Sequence, residues 1–153
     1  MCLEKWKIGL IGSVYYIGII CTVIVIPYWS DQIGRRWITL VSYYIFVIAI
    51  IGILISHDII WLYVFVFLTG TTFPGRAIVG MSWLLEFNKK SRRQLVMFIK
   101  LLSYPVLIII FTLIFQFGTR HYVYVWLVTL FLAFSATIYI MFLVPESPNW
   151  LVE

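Results

Sequence analysis

Long uncharged apolar segments constrain this chain more than any other feature of its sequence. A hydrocarbon core about 30 Å thick requires roughly 20 residues of helix. Only 11% of the residues are charged, against about a quarter in a soluble domain, so lipid must be the solvent for much of the surface. Five such segments are present, approximately at residues 8–29, 37–56, 59–85, 95–117 and 122–144. The third is interrupted by Arg76 and the fourth by Lys100.

These segments predict an all-α fold, a polytopic transmembrane helix bundle of about five spans. A transmembrane strand needs a closed barrel to satisfy its backbone, and the segments lack the two-residue alternation of barrel strands. We therefore expect residues 1–153 to form a single transmembrane domain. Its last residues, 145–153, are expected to be a cytoplasmic segment.

The positive charge lies between the apolar segments. The net charge is +5, but six of the eleven Lys and Arg residues fall in the connections after the first and third segments. Such clusters set membrane topology, so these two connections are expected in the cytoplasm, with the N-terminus outside and the C-terminus inside. A nucleic-acid partner is not expected, and the lipid bilayer is the expected surrounding.

The connection after the first segment carries a recognisable motif. Glycine permits a tight turn between two helices, and a carboxylate at the end of one helix can hold arginines or cap the next helix. The motif begins at Pro27. Four residues in it can have these roles: Asp31, Gly34, Arg35 and Arg36. The motif resembles the Gly-x-x-x-Asp-Arg-x-Gly-Arg-Arg loop of the major facilitator superfamily, with Pro27 and Gln32 in place of a glycine and a basic residue.

Three further motifs follow the order found in that superfamily. Gly70 precedes Glu86 by sixteen residues, and Arg92 and Arg93 follow Glu86, as the fourth helix of the family has a glycine, a glutamate and a later arginine. Residues 145–151 read PESPNWL, similar to the sequence that closes the sixth helix in sugar porters and organic ion transporters. Residues 2–7 read CLEKWK, which resembles the stretch before the second helix of organic cation and anion transporters.

The resemblance implies a cytoplasmic gate, a charge network that forms in one state of alternating access and breaks in the other. Its candidate residues are Asp31, Gly34, Arg35, Arg36, Glu86, Arg92, Arg93 and Glu146. For Lys89 and Lys90 a solvated basic loop is an equally good interpretation.

Arg76 is the candidate for contact with a substrate. It lies ten residues before Glu86, which places it about 15 Å deeper in a helix and near the membrane midplane. Arg76 belongs to a polar stripe with three- and four-residue steps, which is typical of a helix that lines a cavity. The stripe consists of Thr69, Thr72, Arg76, Gly80 and Trp83. The cavity candidates are Arg76, Thr72 and Thr69. Arg76 could attract an anionic substrate or pair with a carboxylate, and a structural or snorkelling role is the alternative.

Two further features are also expected. Lys100 is expected to snorkel to the cytoplasmic interface. Gly9, Gly12 and Gly18 in the first segment could allow close helix approach.

The resemblance implies a transporter in the plasma membrane that moves a small organic solute, an organic ion or a sugar, by alternating access. No catalytic residue, metal site or cofactor is expected, and the chain is not expected to be an enzyme. The five spans correspond to helices two to six of the superfamily, so we expect a partial N-terminal half that is inactive alone and needs the missing helices as partners. The alternatives are a non-transporting membrane scaffold or a truncated gene product.

Overall fold

The computed structural model describes residues 5–117 and 122–144, and every regular element within those residues is helical. The predicted all-α class is therefore confirmed. The helices are α1 (Lys5–Thr22), α2 (Val25–Ile33), α3 (Arg35–Ile55), α4 (Ile59–Thr71), a π-helical segment (Gly75–Val79), α5 (Gly80–Glu86), a 3-10 turn (Lys90–Arg92), α6 (Arg93–Phe117) and α7 (Tyr122–Leu143).

Helix length and apolarity fit the predicted number of spans. Among the described residues four helical stretches are long and apolar enough to cross a membrane, or five if the bent pair α1 and α2 forms one span. That pair bends by 44° at residues 23–24. Pro27 explains the position of the bend, because its ring lacks an N–H and clashes with the carbonyl four residues earlier, at Val23.

Gly34 alone connects α2 to α3. Its backbone has φ 111° and ψ 139°, the one positive φ among the described residues. Its N–H donates to the Ser30 carbonyl oxygen at 3.1 Å, which closes the end of α2. Side chains other than hydrogen are strained at such a φ, so the sharp turn between the two helices depends on this glycine.

α1 and α4 pack in close contact through glycine. A methyl group on Gly18 would lie 2.6 Å from the carbonyl oxygen of Phe67, and one on Gly70 would overlap the carbonyl oxygen of Tyr15. Thr22 Oγ1 adds a hydrogen bond to the Thr71 carbonyl oxygen at 3.1 Å. The expected close approach is therefore found at Gly18. It is not found at Gly9 and Gly12, which have nothing within 4 Å of the added carbon.

α3 is the central helix of the bundle. It packs against α2, α4, the π-helical segment, α5 and α7. Ser42 contacts Gly75, whose missing side chain leaves room for the serine hydroxyl. The buried residues of α3 are Thr39, Ser42, Ala49, Ile50 and Ile53.

α6 differs from the rest of the bundle. Every side chain that the structure describes in this helix is exposed or half-buried. It packs against α5 and the 3-10 turn at its own start. α6 therefore presents most of its apolar surface outward.

The third span is irregular at its middle. Pro74 lacks an N–H and crowds the carbonyl of Gly70, and the π-helical turn follows it directly. The N–H of Gly80 bonds to the carbonyl oxygen of Gly75, five residues earlier, which is the π-helical pattern. The helix is thus widened where Arg76 lies, in the middle of the span.

Candidate functional site

Arg35 joins carboxylates from two helices at the end of the bundle that carries the basic connections. Its Nη2 lies 3.2 Å from Asp31 Oδ1, one turn earlier in the chain, and its Nη1 forms an ion pair with Glu86 Oε1 at the end of α5. The side chains of Asp31 and Glu86 are 67% and 10% exposed. An exposed pair contributes about 0–1 kcal/mol. The shielded Arg35–Glu86 pair is therefore the stronger link, and it ties α3 to α5.

Arg36 connects α3 to a different helix. Its Nη2 donates a hydrogen bond of 2.7 Å to the carbonyl oxygen of Met141, in the last turn of α7. The carbonyls of a last turn have no partner within their own helix, and a cation there also interacts favourably with the helix dipole. The two neighbouring arginines thus hold the ends of α5 and α7 against the start of α3.

The other predicted gate residues are placed differently. Arg93 Nε donates to the carbonyl oxygen of Asn88 at 3.2 Å, within the same connection. Arg92 is exposed on the 3-10 turn. Glu146 lies outside the described residues. The structure therefore brings together Asp31, Arg35 and Glu86, with Gly34 as the turn that positions Arg35.

Arg76 lies against aromatic rings of α3. Its guanidinium carbon is 3.4 Å from the centre of the Phe46 ring and 5.9 Å from that of Tyr43. Its Nε is buried and has no hydrogen-bond partner, and no carboxylate within residues 5–117 and 122–144 forms an ion pair with it. A desolvated cation–π contact is worth about 2 kcal/mol, less than the several kcal/mol that burial of a charge costs. The rings therefore compensate the buried charge only in part.

Arg76 also lines a partly open cavity of about 210 Å³. The cavity lies between α3, the π-helical segment, α5, α6 and α7. Its lining residues are Thr39, Tyr43, Arg76, Gly80, Trp83, Leu84, Phe87, Lys100, Tyr139, Ile140 and Val144.

The predicted polar stripe is thus divided. Gly80 and Trp83 line the cavity with Arg76. Thr69 and Thr72 are 5% and 2% exposed, and their hydroxyls donate to the carbonyl oxygens of Val66 and Thr69 at 2.7 and 2.9 Å. Both threonines are absent from the lining of this cavity and satisfy their own helix backbone instead.

Lys100 is turned toward the bundle. Its Nζ donates to the carbonyl oxygen of Ala77 at 3.3 Å, and it lines the same cavity as Arg76. The expected snorkelling position was wrong, because the carbonyl of Ala77, within the π-helical segment, is the acceptor that holds the ammonium. Lys100 also lines a second, apolar cavity of about 360 Å³ between α5 and α6.

The aromatic contacts of Arg76 escaped prediction. Phe46 and Tyr43 lie on α3, which is distant in sequence from Arg76. Aromatic residues make up 19% of the chain, so no compositional signal distinguishes these two rings. Only the packing of α3 on the third span reveals them.

The chain is similar to a family of membrane transporters. A family model described as sugar (and other) transporter matches residues 3–153. Solute carrier family 22 member 2 of Rattus norvegicus is 27% identical over 161 aligned positions, which cover 100% of this chain and 27% of that protein.

Two further relatives carry the same name. The protein of Mus musculus is 27% identical over 161 positions, and that of Oryctolagus cuniculus is 24% identical over 154 positions. In both cases the match covers 100% of this chain and 27% of the relative. The chain therefore spans about a quarter of the length of these curated relatives.

Proposed function

Because the chain belongs to the sugar (and other) transporter family, we propose that it forms part of a transporter that moves a small organic solute, an organic ion or a sugar, across a membrane by alternating access. Transporters of this kind bind the solute between two helical halves. Five spans do not enclose such a path, so we propose that further helices complete it and that this chain alone does not transport.

The observation that carries the proposal is the Arg35–Glu86 ion pair. It joins α3 to α5 at one end of the bundle, and both residues belong to the family's motifs. Both charged groups regain water when the partners separate, so a pair at the end of a bundle can break and form again. The pair therefore supports a brace that closes the cytoplasmic side in one state and opens in the other.

The same end of the bundle supports the proposed orientation. Arg35 and Arg36 contact the ends of α5 and α7, so the two basic connections lie on one side. We propose that this side is cytoplasmic, that the N-terminus is outside and that the membrane is the plasma membrane. A variant with Cys2 and Cys21 replaced by serine and Lys89→Cys added should resist a membrane-impermeant maleimide in intact cells and react after permeabilisation. Matched His57→Cys should react without permeabilisation, and the reverse result would overturn the orientation.

A chimaera tests the transport function. Residues 3–153 replace the matching segment of the rat solute carrier, and uptake of a labelled solute carried by the unmodified relative is measured in cells, with surface expression quantified in parallel. We expect saturable uptake above that of cells without the chimaera. A chimaera that reaches the surface without any uptake would favour the membrane scaffold instead.

Charge variants of the chimaera test the brace. Glu86→Gln should lower the rate of uptake at equal surface expression, and the exchanged pair Arg35→Glu with Glu86→Arg should restore part of it. Lys89→Gln is the matched control, since it removes a charge from the same connection outside the brace. Unchanged uptake in Glu86→Gln would contradict the proposed role of the pair.

A further inference from the structure

Ser91 differs from the other hydroxyl side chains that the structure describes. Within residues 5–117 and 122–144, every other serine and threonine hydroxyl donates a hydrogen bond to a backbone carbonyl oxygen. Ser91 is exposed in the 3-10 turn that joins α5 to α6, and its hydroxyl bonds to no described residue. This hydroxyl is therefore free to react with a molecule from solvent.

Basic residues lie on both sides of Ser91 in the sequence. Lys89 and Lys90 precede it, and Arg92 and Arg93 follow it. Lys89, Lys90 and Arg92 are exposed, and no carboxylate in the described part of the chain forms an ion pair with them. The segment therefore presents a hydroxyl between unpaired cations, a pattern that a complementary acidic surface recognises.

Few contacts secure the turn that holds Ser91. The N–H of Arg92 donates to the carbonyl oxygen of Lys89 at 2.9 Å, and Arg93 Nε donates to that of Asn88 at 3.2 Å. None of the side chains that the structure describes in α6, the next helix, is buried. Segments with few buried contacts open locally at low cost, so this connection can extend into the groove of an enzyme.

We propose that Ser91 is the phosphate acceptor of a protein kinase that selects basic residues, with ATP as the phosphate donor. The Ser91 Oγ forms a bond to the γ-phosphorus, the bond from that phosphorus to the oxygen that bridges to the β-phosphorus breaks, and ADP leaves with the electron pair. The hydroxyl proton passes to the catalytic carboxylate of the kinase. The proposal rests on the proposed function only for the cytoplasmic location of this connection.

The phosphate changes the charge and the order of the connection. It carries a charge of about −1.5 to −2 at pH 7, against four positive charges at residues 89–93. It also lies two residues before the start of α6, where the first N–H groups have no partner in their own helix. Amide hydrogen exchange in the first turn of α6 should therefore slow on phosphorylation. Faster exchange there would contradict this ordering.

Labelling of the purified full chain in lipid nanodiscs tests the site without requiring transport, because both faces of a nanodisc are accessible. The probes are radiolabelled ATP with the catalytic domain of a kinase that selects basic neighbours or of one that selects acidic neighbours, and mass spectrometry locates the phosphate. We expect the first kinase alone to label Ser91. Ser103 of α6 is also exposed, but its hydroxyl donates to the carbonyl oxygen of Lys100 at 2.7 Å, and it should stay unlabelled. Labelling that avoids Ser91, or that is equal with both kinases, would overturn the proposal.

Variants assign the recognition. Ser91→Ala should abolish the label, and Ser91→Thr, which keeps a hydroxyl, should retain it. Lys89→Gln combined with Lys90→Gln should lower kcat/KM for labelling about tenfold, because two exposed charge pairs with the kinase are lost. Lys7→Gln, at the start of α1, should leave it unchanged. Native helicity by circular dichroism accompanies each variant, and an unchanged kcat/KM in the folded double lysine variant would contradict the role of the basic residues.

The lipid composition of the nanodiscs separates a kinase site from a lipid contact. Anionic headgroups are another partner that clustered cations attract. We expect the label at Ser91 in discs of phosphatidylcholine and in discs with added phosphatidylserine. A label that disappears with phosphatidylserine would assign the basic residues to the membrane surface and overturn the kinase site. Failure of uptake in the chimaera with intact labelling of Ser91 would remove the transport function and leave the modification site standing.

Discussion

α3 and α6 are both long apolar helices, yet one is buried on several sides and the other packs loosely. Ile50 of α3 is 0% exposed, whereas Ile109 of α6 is 57% exposed. Their sequences differ in small residues: α3 contains Ala49 and Gly52, while α6 contains no glycine or alanine. In membranes lipid is as apolar as leucine, so close packing of small side chains decides which helices associate. Apolarity alone predicts a span, and small residues predict its neighbours.

Gly18→Ala should give the largest effect on the packed region. The added methyl group meets the backbone of α4, so the free energy of unfolding should fall by about 3 kcal/mol, the upper range for overpacking. Gly12→Ala on the same helix meets nothing and should raise stability by about 0.5–1 kcal/mol through helix propensity. Denaturant unfolding in mixed micelles, followed by circular dichroism, measures both. Equal effects of the two substitutions would show that α1 and α4 do not approach closely.

Ile50→Ala against Ile109→Ala tests the comparison directly. Ile50→Ala should lower the free energy of unfolding by about 2 kcal/mol, the lower end for such changes, because lipid removes most of the transfer contribution and leaves the cavity cost. Ile109→Ala should change it by less than about 0.5 kcal/mol. The same unfolding assay applies. A large loss in Ile109→Ala would mean that α6 packs on a surface that the described residues do not provide.

Glu86→Gln should have an intermediate effect on the isolated chain. Among the described residues the variant leaves Arg35 with the exposed Asp31 as its carboxylate partner, and we expect a loss of about 1–2 kcal/mol in unfolding free energy. Lys89→Gln, in the connection that leads to α6, should change stability by less than about 0.5 kcal/mol. A loss that persists at high salt would indicate shielded charge, whereas one abolished by salt would place the pair in open solvent.

Lys100→Met should give the smallest effect and should be confined to α6. The variant removes one hydrogen bond to the carbonyl of Ala77, worth about 1 kcal/mol, and keeps an apolar side chain of similar length. Amide hydrogen exchange should accelerate in α6 and the 3-10 turn, while the exchange of α3 and α4 stays unchanged. Faster exchange throughout the bundle would show that α6 is coupled to the core as tightly as α3.

The sequence predicted most of the fold and the family. The all-α class and the approximate spans followed from uncharged segments, and the family match confirms the predicted resemblance to sugar porters and related transporters. The bend at residues 23–24 was not predicted, although Pro27 marks it. Close packing was expected at three glycines of α1 and occurs only at Gly18 among them. The sequence did not distinguish the three, because composition does not say which side of a helix meets a neighbour.

The candidate site was predicted only in part, and the π-helical segment explains one failure. The stripe from Thr69 to Trp83 assumed 3.6 residues per turn throughout. A π-helical turn contains about one extra residue, which rotates the preceding residues by about 100° relative to those that follow. Arg76, Gly80 and Trp83 therefore share the cavity, while Thr69 and Thr72 turn into the packed bundle. Whether the predicted gate and cavity residues act in transport stays a prediction.

The single residue between α2 and α3 limits how the bundle can rearrange. Most of the relative freedom of the two helices resides in the backbone angles of Gly34, whereas α3 and α4, or α5 and α6, are separated by several residues. Such a connection leaves no slack for α2 and α3 to slide past one another. Any transition that moves the start of α3 away from Glu86 therefore also moves the end of α2, and rotation between the two helices is confined to the backbone of Gly34.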